Sequence, residues 1–231
     1  LAQRNYGRAG STLLDSGGGS DYPHGWAGDD SYFVHGGGEQ VSELAGGGND
    51  TVYAFGNFAL GAGSEVETIT AYDRSSVNAM NLTGNELANR IIGNAGTNSL
   101  RSGGGADVLY GLGGDDSYVV EGAGEEVVET AGGGNDTVYT MGTYLLGNGV
   151  EVETLTVYDR ATTNAVNLSG NEFTQRLIGN AGRNFLDAGG STGMLYGLAG
   201  DDTYLLRGPG TQVTELASQG HDTIYVVTGT R

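Results

Sequence analysis

The sequence predicts an all-β fold, a parallel β-solenoid in which glycine turns and short strands stack coil upon coil. Three observations carry this reading. "HGWAGDDSYFV" from His24 to Val34 returns as "YGLGGDDSYVV" from Tyr110 and as "YGLAGDDTYLL" from Tyr196, so the chain repeats at an interval of 86 residues (24, 110, 196). Inside each unit a ninefold period places glycines ahead of an aspartate or asparagine, with an apolar residue two positions later. No segment sustains an apolar period of 3.6 residues, so the regular structure reads as strand throughout.

The long repeat sets the organisation. "EVETITAYDRSSVNAMNLTGNELANRIIGNAG" from Glu65 returns from Glu151 as "EVETLTVYDRATTNAVNLSGNEFTQRLIGNAG" with no insertion. The units run over 6–91, 92–177 and 178–231, the last incomplete, and read as one continuous solenoid over 1–231. Leu1 is not an initiator and Arg231 falls partway through a unit, which suggests a processed or partial chain.

Composition excludes several classes. Lys plus Arg total 10 against 28 Asp plus Glu, a formal net charge of -18, and no basic tract offers itself to phosphates, so nucleic acid is not an expected partner. The 45 glycines lack the every-third-residue period and the proline content of collagen. No apolar run is long enough to span a bilayer and no signal-like segment is present, so the chain reads as soluble. The absence of cysteine fits an extracellular protein held together by something other than disulfides, and a cytosolic one equally.

The nonapeptides come first among the elements. From Gly93 the middle unit divides into "GNAGTNSLR", "SGGGADVLY" and "GLGGDDSYV", with Asn98, Asp107 and Asp116 at the sixth position and Leu100, Leu109 and Tyr118 at the eighth. Glycine supplies the turn, the following residues extend, and the eighth side chain points inward. Stacking at the sheet spacing of roughly 4.8 Å would bring sixth-position carboxylates into a repelling column. A hard cation answers that repulsion, since carboxylate and carbonyl oxygens are the ligands calcium prefers. Alternate blocks turn on the same side, so Asn98 is expected to act with Asp116, and Asp107 with coils on the opposite edge.

After each cluster comes a longer coil, with strand-like runs "QVSEL", "EVVET" and "QVTEL" that carry Glu43, Glu129 and Glu215, each seven residues before Asp50, Asp136 and Asp222. These acids are either solvated turn residues or calcium ligands returned to the edge of Asp30, Asp116 and Asp202. In the linking strand "VETLTVYD" the alternation places Val152, Thr154, Thr156 and Tyr158 on one face and Glu153, Leu155, Val157 and Asp159 on the other. Both faces are mixed, which suits limited burial on each side or an outer face that meets a neighbour. Thirteen tyrosines, with Phe55, Phe58 and Met141, are expected mainly to fill a thin core, a saccharide-binding or self-association surface being the alternative.

The run "GNAGTNSLRSGGGADVLYGLGGDDSYV" resembles the G-G-x-G-x-D-x-U-x nonapeptides of the repeats-in-toxin (RTX) calcium-binding β-roll family. The resemblance extends to the longer coil "VVEGAGEEVVETAGGGNDTVY" and to the linking segments, and so covers nearly the whole chain. It implies a right-handed parallel β-roll that binds several calcium ions and folds after export. Carried over position by position, Asp21 and Asp30 match in the first cluster, with Thr12 in place of the first carboxyl or amide. Asn98, Asp107 and Asp116 match in the second. In the third, Asn184 and Asp202 match and Gly193 removes the middle ligand. Fewer ions are expected in the outer clusters than in the central one.

Catalysis finds little support. His24, His35 and His221 lack metal-binding spacing, and "GGSTG" completes a nucleophile motif at Ser191 only inside a degraded nonapeptide with no helix after it. The expected protein is not an enzyme but a secreted or cell-surface calcium-binding structural or adhesive module, a stiffened rod or filament that could associate end to end. The alternatives are a calcium-dependent secretion and folding module of a secreted enzyme, or a module binding extracellular polysaccharide.

Overall fold

The computed structural model describes residues 2–36, 38–190, 192–216 and 218–227, and the chain divides into two compact units, residues 1–128 and 129–231. Among the described residues every regular element is a strand of two to five residues, and every strand pair within either unit is parallel.

In the first unit one sheet runs from Leu13–Asp15 through Ser31–Val34, Thr51–Ala54, Thr68–Ala71, Arg90–Ile92 and Val108–Tyr110 to Glu126–Val128. A second contains Phe58–Ala59, Met80–Thr83, Asn98–Arg101 and Ser117–Val120, and Arg4–Tyr6 pairs with Tyr22–His24. Register gives the coil length directly. Leu13 faces Ser31, and Arg90 faces Val108, which faces Glu126, each an advance of 18 residues or two nonapeptides. Between clusters the advance changes, as in Ser31 to Thr51 and Thr51 to Thr68, because the linking coils do not follow the ninefold rule.

That register stacks one apolar residue per coil. Tyr32, Val52, Ile69, Ile91 and Leu109 form one fully buried column, while Phe58, Leu82, Leu100 and Tyr118 form the facing one. The second unit repeats the arrangement with Val138, Leu155, Leu177 and Leu195 against Tyr144, Leu168, Leu186 and Tyr204. The eighth-position residues therefore make the core, as the alternation requires.

Two expectations change. The linking strand is buried more fully than its mixed faces suggest, with Leu155, Thr156 and Val157 all inside the fold. Leu155 lies in the core column, and Arg160 folds back so that its Nε donates to Thr156 Oγ1 at 3.2 Å, as Arg74 Nε does to Thr70 Oγ1 at 3.0 Å. The aromatics also divide between inside and outside. Tyr32, Tyr118, Tyr204, Phe58 and Tyr144 are buried, whereas Phe55, Tyr72, Tyr158 and Met141 stand on the surface, because they fall on the outward phase of their strands or just beyond the strand ends.

Candidate metal centres at the coil edges

Each sixth-position carboxylate is set by a tight turn whose fourth residue is glycine with a positive φ, +113° at Gly28 and Gly200. A Cβ on Gly28 would lie 2.4 Å from the Gly10 carbonyl carbon of the preceding coil, so backbone packs directly on backbone here. The turn then aims its carboxylate down the stack. Asp30 Oδ1 accepts from the Thr12 amide at 2.6 Å, and Asp50 Oδ1 accepts from the Asp30 amide at 2.8 Å. Glu67 Oε2 in turn accepts from the Asp50 amide at 2.7 Å. The acids are thus rungs of a ladder, each satisfying a backbone donor one coil away.

One oxygen of each acid remains after that. Asp30, Glu43 and Asp50 are all buried and present carboxylate oxygens within 4.8 Å of one another. Asp30 Oδ2 and Asp50 Oδ2 are buried and make no hydrogen bond among the described residues. The Tyr32 hydroxyl donates to Glu43 Oε1. Above this group lies Gly25, where a Cβ would come 2.1 Å from both Asp30 Oδ2 and Glu43 Oε1 and 2.2 Å from the Tyr32 hydroxyl. Burial, aided by the charges of Asp50 and Asp30, pushes the Glu43 carboxyl up to about 7, and burial raises Asp50 as well.

The second unit builds the same constellation from Asp202, Glu215 and Asp222, again with oxygens within 4.8 Å. Asp202 Oδ1 accepts from the Asn184 amide at 2.6 Å, Asp222 Oδ1 accepts from the Asp202 amide at 3.0 Å, and the Tyr204 hydroxyl donates to Glu215. Burial lifts Asp202 to about 6 and Glu215 to about 7, with Asp222 adding to both. Asp116, Glu129 and Asp136 are the same three positions in the middle repeat of the sequence. Asp116 Oδ1 accepts from the Asn98 amide at 2.6 Å, which ties the two alternate blocks together, and the Asp136 amide donates to Glu153 Oε2 at 2.6 Å.

On the opposite edge Asp21 Oδ1 accepts from the Gln3 amide at 2.7 Å and Asp107 Oδ1 from the Asn89 amide at 2.6 Å, and the second oxygen of each is buried without a hydrogen bond among the described residues. Burial lifts Asp107 to about 7, with a contribution from Glu125. Glu125 and its equivalent Glu39 were not legible as candidates from the nonapeptide pattern. Both stand 18 residues, one coil, beyond Asp107 and Asp21, and that spacing was the available signal. Glu125 Oε1 accepts from the Gly122 amide at 2.9 Å while its Oε2 is buried without a partner. In the third repeat Gly193 and Thr211 stand at these two positions, so both acids are lost together.

The side chains of Asn98 and Asn184 hydrogen-bond within their own turns. Asn98 Oδ1 accepts from the Asn94 amide at 2.6 Å, and its Nδ2 donates to Asn94 Oδ1 at 2.8 Å and to the Gly96 carbonyl at 2.5 Å. Asn184 closes its turn on Asn180 in the same way. An amide, being both donor and acceptor, saturates the turn without an ion; a carboxylate in the same place cannot. Ser191 lies outside the described residues. His35 Nε2 contacts Asp15 Oδ1 at 2.8 Å in a surface pair, apart from these groups.

The two classes of energy decide what the edges need. A buried Leu or Val in the core column contributes about 2 kcal/mol. An unpaired buried carboxylate costs several kcal/mol, so three together can offset the apolar burial of the coils that carry them. A cation among the oxygens reverses that sign, and three acids around a glycine-walled space suit a hard, oxygen-seeking ion.

A family model for the RTX calcium-binding nonapeptide repeat (4 copies) matches residues 83–118 and 169–204. No curated protein and no solved structure matches the chain. The matched segments begin in the linking strands and end on the Asp116 and Tyr204 coils, so they contain the nonapeptide turns and stop before Glu129 and Glu215. Nonapeptide match, coils advancing by 18 residues and parallel strands agree: the chain carries RTX-type calcium-binding nonapeptide repeats on a parallel β-solenoid, and such repeats are structural and not catalytic elements.

Proposed function

We propose that calcium is the ion held at the coil edges, and that it makes this chain a folded structural or adhesive module only where calcium is abundant. The observation that carries this reading is the trio Asp30, Glu43 and Asp50, three buried carboxylates within 4.8 Å with two oxygens that find no hydrogen-bond donor among the described residues. Asp202, Glu215 and Asp222 form the equivalent centre, and Asp116, Glu129 and Asp136 occupy its positions in the middle repeat. Asp107 with Glu125, and Asp21 with Glu39, are the ligand groups of the opposite edge. Asn98 and Asn184 act as closed turns below the carboxylates and donate their amides to Asp116 and Asp202.

Calcium bound only by the folded state adds stability as its concentration exceeds the dissociation constant. Sites of about 10⁻⁴ to 10⁻³ M suffice in extracellular fluid and stay unfilled in a calcium-poor cytoplasm. A net charge of -18 opposes compaction until the ions arrive. This supports a secreted or cell-surface location, with export as a loose chain and folding afterwards. Circular dichroism and hydrodynamic radius across a calcium titration test it: a cooperative gain of strand signal with compaction is expected, reversed by chelation. A chain equally compact and β-rich after elemental analysis shows all metal removed would sink the proposal.

A further inference from the structure

Each unit carries, at sequence-equivalent positions, a surface cleft that neither the core nor the acidic edges require. In the first, Tyr72 follows directly on the strand Thr68–Ala71, is 52 % exposed, and stacks on Phe55 at 4.1 Å between ring centroids. Beside it the cleft is lined by Asp73, Ser76, Asn78 and Asn94. In the second, Tyr158 is 50 % exposed and lines a cleft of about 350 Å³ with Met141, Asp159 and Thr162.

The polar groups are positioned by the loop itself. Asp73 Oδ1 accepts from the Ser75 amide at 3.0 Å, and Asp159 Oδ1 from the Ala161 amide at 3.0 Å. Asn94 Nδ2 donates to the Asn78 carbonyl at 3.0 Å, and Asn180 Nδ2 to the Asn164 carbonyl and to Thr162 Oγ1, both at 2.9 Å. The neighbouring cations are turned away, since Arg74 and Arg160 fold back onto Thr70 and Thr156. What remains is an aromatic wall with one carboxylate, and among the described residues no cationic side chain lines either cleft.

We infer that these clefts bind a neutral pyranose unit of a polysaccharide. A pyranose ring presents an apolar C–H face, which fits a half-exposed tyrosine, and a rim of vicinal hydroxyls, which fits the Asp159 carboxylate as acceptor; the Thr162 hydroxyl, donating to the Asp159 carbonyl at 2.7 Å, serves to hold that loop. Anionic sugars meet the acid with no cation to answer it. The second cleft falls in the size range of small-molecule sites, which start near roughly 300 Å³, whereas the first, about 90 Å³, admits only a ring edge. Binding through the second cleft is therefore the tighter.

The test uses the full chain at saturating calcium, titrated with neutral hexasaccharides of glucose, mannose and N-acetylglucosamine, and followed by calorimetry and saturation-transfer NMR. Tyr158→Ala and Asp159→Asn are each expected to weaken binding by roughly tenfold, and Tyr158→Phe by less than about threefold, since the ring remains. Asp159 is exposed, so Asp159→Asn keeps the test decisive if Tyr158→Ala does not fold. Failure of all three neutral sugars to bind would overturn the inference, as would affinity unchanged by both variants, or preference for a polyuronate or a trimethylammonium probe. Calcium content measured on the same samples separates the two proposals: retained calcium without sugar binding defeats this one alone.

Discussion

Asp107 shows at one residue what the edges of this protein demand. One oxygen holds the Asn89 amide at 2.6 Å and the other is buried with no donor, so the neutral form is favoured and the carboxyl titrates near 7 in the metal-free fold. Asp107→Asn keeps an acceptor for Asn89 and removes the charge. The expected result has opposite signs in two conditions: the metal-free chain at pH 7.5 is no less compact than wild type, while the calcium concentration needed for folding rises. A variant that folded at an unchanged calcium midpoint would show that Asp107 binds no ion. Tyr32 makes a second residue-scale case, because its ring fills the core column and its hydroxyl meets Glu43. Tyr32→Phe keeps the ring. It should leave strand content intact in saturating calcium and alter calcium affinity at this trio, measured by titration against wild type.

At the scale of the element, the turn rather than the strand carries the specificity. Gly25 has no positive φ to demand glycine, and what excludes a side chain there is the carboxylate group beneath it, 2.1 Å from a Cβ. Gly25→Ala is expected to raise the calcium required for folding several-fold, because the methyl occupies the space between Asp30 and Glu43. Gly56→Ala, where nothing lies within 4 Å of a Cβ, should stay within about 0.5 kcal/mol of wild type. Equal effects in urea unfolding at fixed calcium would refute the cradle. Outer faces follow another rule: Arg90 lies over the Tyr110 ring at 4.6 Å and Arg176 over Tyr196 at 4.8 Å, 86 residues apart. All ten basic residues are arginine, and a guanidinium can lie flat on such a surface where an ammonium cannot.

For the whole molecule the raised carboxyls set a pH dependence. Glu43, Asp107 and Glu215 near 7 and Asp202 near 6 all lie above their ordinary values of 4.5 for Glu and 3.8 for Asp. A raised acid binds its proton more tightly in the folded state. Its stabilising contribution is complete below the ordinary value and is lost as pH rises through about 6 to 7. Asp15, lowered by the Gly17 amide and His35, has the opposite sign, but it is a single surface group. The calcium-free chain should therefore gain compactness and strand signal on acidification from pH 8 to pH 5. Calcium binding near pH 7 should release protons, and its midpoint should rise as pH falls. Scattering and dichroism of the chelated chain that stayed flat over this range would contradict the burial of these acids.

Much of this protein is decided locally. Nine-residue spacing alone places Tyr32, Leu109 and Tyr204 inside and Asp30, Asp107 and Asp202 at the edges, because a strand alternates and a turn of constant length returns each position to the same side. A cation-binding edge was legible for the same reason, since stacking a repeated acid leaves few chemical answers. The structure decided what depends on which groups actually meet. Glu43 and Asp50 are buried and not solvated because Tyr32 and Gly25 close over them, and the ninefold pattern does not encode that closure. Asn98, one of the same sixth positions, is spent on its own turn because Asn94 lies in reach of its amide. Glu39 and Glu125 join the opposite edge by standing one coil above Asp21 and Asp107, and Phe55 and Tyr72 leave the core because the strands end before them. Periodicity determines side and depth; which oxygen lacks a donor, and which ring meets solvent, depends on contacts and strand ends that the ninefold pattern does not encode.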